Sequence, residues 1–90
     1  MQDLPTLLQS IPQGYSQGLV RGVRWSATKT VHNDGRSVKI FAEELGGNDF
    51  VSCNFYRTAS GLVAKPCEMP FEKVEQFLRE FSPLIGKERL

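Results

Sequence analysis

VKIFAEELGGNDFVSCNFYRTASGLVAKPCEMPFEKVEQFLREF, running from Val38 to Phe81, changes its period once, and that change decides the fold. Up to Met69 the residues alternate. Val38, Ile40 and Ala42 interleave with Lys39, Phe41 and Glu43, and Val51, Cys53 and Phe55 with Ser52, Asn54 and Tyr56. Val63, Lys65, Cys67 and Met69 make a third run. Period-two alternation of this kind predicts strands with one buried face. From Pro70 onward, Phe71, Val74, Phe77, Leu78 and Phe81 keep helical spacing, and a proline suits a first turn, where its missing N–H is not needed. The stretch reads as strands feeding one amphipathic helix over 70–81.

Upstream, Val23, Trp25, Ala27 and Val31 alternate with Arg24, Ser26, Thr28 and Thr30, which reads as one long strand from Leu19 to His32, with Gly18 and Gly22 as interruptions near its start. Asn33-Asp34-Gly35-Arg36 then carries the Asp-Gly hairpin signal, and a two-residue loop there sets Val31 opposite Val38, Ala27 opposite Ala42 and Trp25 opposite Glu44. Gly46-Gly47 as a second two-residue loop sets Ala42 opposite Val51, Ile40 opposite Cys53 and Val38 opposite Phe55. A three-residue loop at Ala59-Ser60-Gly61 sets Cys53 opposite Cys67 and Val51 opposite Met69. All three registers keep the apolar sets on one face, which a slip of one residue would undo. The expected fold is α+β: a four-stranded antiparallel meander over 19–69, with the C-terminal helix across its apolar face and water on the other. Trp25, Ile40, Phe55, Val74 and Phe77 are the expected core.

Leu4, Leu7, Leu8 and Ile11 form one helical stripe, with Asp3 placed to cap it, Pro5 in its first turn and Pro12-Gln13-Gly14 at its end. Residues 1–14 are either a short helix that docks on the sheet or a frayed arm. Ser82-Pro83 stops the last helix, and 82–90 read as a loose tail. The whole of 1–90 is read as a single domain, with no repeat, linker or low-complexity segment.

Ninety residues bury roughly 60–65% of their unfolded surface, so nearly every large apolar side chain is needed in one core. Eleven basic and ten acidic residues leave a net charge of +1, so any pull toward nucleic acid or a membrane surface has to come from a local patch. Two cysteines are too few for a secreted disulfide framework, and the first residues carry neither a basic stretch nor a long apolar run. A cytoplasmic protein without a membrane-spanning segment is expected.

Few residue types here suit chemistry. Two cysteines and one histidine fall short of the four ligands of a structural zinc site. His32 and Cys67 stand three strand spacings apart in the expected sheet, about 14 Å, too far for a nucleophile and its base. Cys53 and Cys67, as cross-strand neighbours, are read as two free core thiols or as a redox-formed bridge. Glu43 and Glu44 point to opposite faces, Glu75 and Arg79 form a solvated i,i+4 pair, and Gly46-Gly47 lacks the strand-to-helix context of a phosphate loop. No catalytic residue, metal ligand or cofactor is expected.

What remains is the polar face. Phe41 lies between Thr28 and Ser52, Lys39 between Thr30 and Asn54, and Tyr56 between Ser37 and Ala64, with Arg24 and Phe50 toward the other end. Arg24, Thr28, Lys39, Phe41, Phe50, Asn54 and Tyr56 are the candidate binding residues. Rings interleaved with cations and amides suit stacking of unpaired bases and contact with their phosphates. The competing reading buries the rings, beneath the N-terminal stripe or against a second copy of the chain, because apolar patches on small domains mark interfaces.

Two resemblances attach to these residues. At Glu43–Ser52 (EELGGNDFVS), Tyr56-Arg57 and Lys65–Pro70 (KPCEMP) the chain resembles a family of small uncharacterised bacterial proteins, a likeness covering most of Arg24 to Phe81 that implies no particular activity. In its strands followed by a helix it is also loosely similar to the single-stranded DNA-binding domain of the transcriptional positive cofactor family, without that family's strongly basic strands and loops. The reading is a non-catalytic interaction domain that self-associates, with a homodimer as the expected state. The alternative is a single-stranded nucleic-acid-binding module using the open face.

Overall fold

The computed structural model describes residues 3–84. An α+β architecture is present: an antiparallel sheet backed on one face by two helices. It has six strands rather than four, in the order β5-β4-β3-β2-β1-β6.

Helix α1 (Leu4–Gln9) starts where Asp3 accepts the Thr6 amide at 3.1 Å. Leu7, Leu8 and Ile11 are buried, so the segment is a docked helix and not a frayed arm. Strand β1 (Gly14–Val20) follows and turns at Arg21-Gly22 into β2 (Val23–His32). Both turn residues have positive φ, 48° and 82°, as a two-residue hairpin turn requires. The expected single strand from Leu19 to His32 is therefore a hairpin. Gly14, Ser16 and Gly18 occupy core-facing positions of β1, with Val20 its one buried apolar side chain on that side, so no apolar alternation marked it as a strand.

The turn at Asn33–Gly35 leads to β3 (Ser37–Glu44), and the β2–β3 pairs Val31–Val38, Ala27–Ala42 and Trp25–Glu44 are those the Asp-Gly signal implied. Strand β4 (Phe50–Thr58) pairs Ala42 with Val51, Ile40 with Cys53 and Val38 with Phe55, again in the expected register. The connection is longer than the expected Gly46-Gly47 loop, because Glu44 and Phe50 end the strands and the Glu44 amide donates to the Asp49 carbonyl at 2.9 Å.

The third register differs. Strand β5 (Gly61–Pro66) pairs Cys53 with Pro66, Phe55 with Ala64 and Tyr56 with Val63, one residue away from the expected pairs. The loop is Ala59-Ser60, closed by the Thr58 hydroxyl, which donates to the Gly61 carbonyl at 2.8 Å and accepts the Ser60 amide at 3.3 Å. A slip of one residue turns every side chain over. Leu62, Ala64 and Pro66 therefore share the helix side with Phe55, while Val63 and Lys65 face outward. Cys53 and Cys67 are free thiols, as the first of the two readings has it, but they are not the cross-strand pair that the expected register made of them, since Cys53 stands opposite Pro66.

Helix α2 (Phe71–Glu80) begins one residue after Pro70, which caps it, and Phe81 follows as its C-cap. Val74, Phe77 and Leu78 are buried against the sheet. Phe77 lies between Trp25 and Phe81, with ring centroids 5.3 and 5.1 Å away. Such pairs add about 0.5–1.5 kcal/mol beyond their area. The expected core residues Trp25, Ile40, Phe55, Val74 and Phe77 are all buried.

Ser82-Pro83, read as the start of a tail, forms β6 against Leu19 and Gly18 of β1. Phe81 turns its ring onto Gly18, where an added Cβ would sit 2.7 Å from two ring carbons and 2.5 Å from the Ser82 carbonyl oxygen. Residues 85–90, the rest of the expected tail, lie outside the described residues. Among the described residues no helix is long and apolar enough to cross a membrane.

Candidate interaction face

Both helices pack on the same side of the sheet, since Leu7 and Leu8 of α1 and Val74 and Phe77 of α2 join one core cluster. The reading in which the N-terminal stripe covers Phe41, Phe50 and Tyr56 is therefore overturned. Among the described residues nothing lies over the opposite face.

Strand pairing sets that face out in rows. Tyr15, Thr28, Phe41 and Ser52 form the middle row across β1 to β4. On one side of it lies the row Thr30, Lys39, Asn54 and Lys65, and beyond that His32, Ser37, Tyr56 and Val63. On the other side lie Gln17, Ser26, Glu43 and Phe50, followed by Leu19 and Arg24. All seven candidate residues thus occupy one face. Tyr56 neighbours Val63 in place of Ala64, because of the corrected register.

Tyr15, Phe41, Phe50, Tyr56 and Val63 are 64, 38, 41, 40 and 40% exposed. The small residues between them are covered by longer neighbours: Ser26 and Ser52 are buried although they point away from the helices. Phe41 and Phe50 stand 6.4 Å apart, ring to ring. Lys73, reaching round from α2, places its ammonium 5.7 Å from the Phe50 ring centre and pairs with Asp49, and that hydrogen bond holds the Asp49 carboxyl below its usual range. Beside these rings the Leu45–Asn48 connection, Glu43 and Glu44 border a shallow hollow of about 510 Å³.

The charges are sparse and placed apart. Arg24 donates to the Gln17 side-chain oxygen at 3.1 Å, and Gln17 in turn donates to the Tyr15 hydroxyl at 3.0 Å. Lys39 and Glu43, on either side of Phe41 along β3, make no ion pair or side-chain hydrogen bond among the described residues. Cys67 flanks the face where the Asn54 amide approaches its sulfur at 3.9 Å.

Among the described residues the side chains most suited to chemistry stand apart. His32 is exposed at the end of β2. Cys53 is fully buried, and burial pushes its thiol up to about 11, which disfavours the thiolate a nucleophile needs. No group of three or more His, Cys, Asp or Glu side chains converges among the described residues.

Sequence reasoning passed over Tyr15, Gln17, Leu19, Val63 and Lys65 on this face. The first three alternate with Gly14, Ser16 and Gly18, a period-two pattern that reads as a strand once small residues are allowed on its inner side. It also passed over Lys29, which points to the helix side opposite Ile40 and donates to the Leu8 and Ile11 carbonyls at 3.0 and 3.1 Å, closing the C-terminal end of α1. No protein-family model, curated protein or solved structure matches this chain.

Proposed function

We propose that the protein is a non-catalytic interaction domain that works through the open face of its sheet and self-associates by it. The observation that carries this reading is two apolar pairs, Phe41 with Phe50 and Tyr56 with Val63, standing on either side of the Lys39–Asn54 row with each side chain at least 38% exposed on a face that neither helix covers. Exposed large apolar side chains set among polar ones are what interfaces present. A cytoplasmic setting, in which both thiols stay reduced, belongs to the same reading.

The alternative is a single-stranded nucleic-acid-binding module. Lys39, Lys65 and Arg24 stand among Phe41 and Tyr56 on this face, which favours it, while Glu43 in the adjoining row and a net charge of +1 weigh against phosphate contacts. Sedimentation equilibrium on wild type and Phe41→Ala, with a single-stranded oligothymidylate titration in parallel, separates the two. Self-association predicts a dimer that Phe41→Ala weakens and no uptake of oligonucleotide. A monomer that binds oligonucleotide, with about 1–3 kcal/mol lost in Phe41→Ala, refutes it in favour of the alternative.

A further inference from the structure

We infer that the partner on the open face is a second copy of this chain laid face to face with its β3 antiparallel to the first, so that Lys39 of each copy pairs with Glu43 of the other around a central contact between the two Phe41 rings. This rests on the reading that the open face self-associates and adds its geometry.

The argument begins with the order of side chains on β3. Lys39, Phe41 and Glu43 point the same way, two residues apart, and neither charge has a partner among the described residues. The pattern cation, ring, anion is complementary to itself only when reversed. A two-fold axis running across the strands through Phe41 provides that reversal, because it returns the face to itself with each strand's direction inverted. Each dimer then gains two Lys39–Glu43 pairs flanking the ring contact. Sheets packed face to face sit about 10 Å apart, a gap that lysine and glutamate side chains bridge together.

The rest of the face agrees with the same axis. Asn54 shares a row with Lys39, and Phe50 shares one with Glu43, so the Phe50 ring of one copy meets the Asn54 amide of the other. Tyr56 lies one row further out and falls over the Leu45–Asn48 connection, where Leu45 is itself 38% exposed. Strand β3 stands next to the middle of the sheet, so the twist of roughly 30° between aligned sheets displaces its residues least. A parallel arrangement would instead set Lys39 against Lys39 and Glu43 against Glu43.

Under this axis the Phe41 row overlaps itself from β1 to β4, and the two rows beside it overlap from β2 to β4, so the contact is small and centred on β3.

The test is a charge swap followed by sedimentation equilibrium. Lys39 and Glu43 are exposed, so the variants keep the fold, and circular dichroism checks that they do. Lys39→Glu and Glu43→Lys should each weaken the dimer by roughly tenfold or more, since each sets like charges against each other across the interface. The double variant Lys39→Glu/Glu43→Lys restores cation against anion and should return to within about threefold of wild type. A wild-type dimer that the double variant fails to restore overturns the antiparallel geometry and leaves self-association standing. A wild type that stays monomeric overturns both.

Discussion

Replacing Gly18 by alanine puts the edge of the sheet under direct test. The new methyl would stand 2.7 Å from two carbons of the Phe81 ring and 2.5 Å from the Ser82 carbonyl oxygen, distances no real Cβ keeps. Either the ring gives way or β6 leaves β1. Overpacking of this kind costs about 1–3 kcal/mol, and the less flexible unfolded chain returns roughly 0.4–1 kcal/mol of that. If Phe81 is expelled, exposing a ring now 6% accessible, the cost rises toward about 3 kcal/mol. For a chain of this size 1 kcal/mol moves the melting temperature by about 4–8 °C, so Gly18→Ala should melt roughly 5–15 °C lower. Thermal melts by circular dichroism read this directly. Gly18→Ala/Phe81→Leu should recover part of the loss, because the smaller side chain removes the clash. An unchanged or raised melting temperature in Gly18→Ala would refute the seating of Phe81 on Gly18.

Three further outcomes follow from the thiols and from Lys29. In the native protein Ellman's reagent should modify Cys67 quickly and Cys53 only at the rate of unfolding, whereas two equally fast thiols would contradict the burial of Cys53. Burial raises the folded Cys53 value from 9.0 to about 11, so the folded form keeps a proton that the unfolded form loses. Stability, measured by urea melts, should therefore fall as pH rises from about 9 to about 11, and a Cys53→Ala variant should lose that dependence. Lys29→Met leaves the Leu8 and Ile11 carbonyls without their donor, a cost of about 1–3 kcal/mol, and should speed amide hydrogen exchange in α1 more than in β3. Unchanged exchange in α1 would show that the ammonium does not hold the helix.

What the sequence revealed, and what it concealed, follows from where its signals are strong. Asp34-Gly35 is a turn signal with a backbone reason behind it, and the strands it joins have clean inner sets, so both β2–β3 and β3–β4 registers were legible. The placement of Thr28, Phe41 and Ser52 in one row, and of Thr30, Lys39 and Asn54 in the next, came with them. Arg21 sits at a positive φ that arginine rarely adopts, so the first hairpin announced itself only through Gly22. Strand β5 offers two apolar sets of similar strength, Leu62, Ala64 and Pro66 or Val63, Cys67 and Met69, and the loop length alone chose between them. Two residues of β6 are too few to carry any period. The role of Lys29 was hidden because a lysine in an alternating pattern reads as outward-facing, and only the nearby end of α1 makes the inward position tolerable.

The pairing of β6 with β1 also sets an order of events. Strands β1 to β5 pair consecutively, β1 with β2 through to β4 with β5, so every one of those hairpins closes over a short loop. The contact of Ser82 and Phe81 with Gly18 and Leu19 is different, for it joins opposite ends of the described chain and needs α2 to be seated first. Its long sequence separation makes it a contact expected to form after the folding barrier and to be given up early when the protein opens. Changes at Gly18 or Phe81 should therefore appear almost wholly in the unfolding rate, leaving the refolding rate near that of the unaltered chain. The two-residue strand at the sheet's margin acts as a latch on the protein's lifetime and has little hand in how fast it forms.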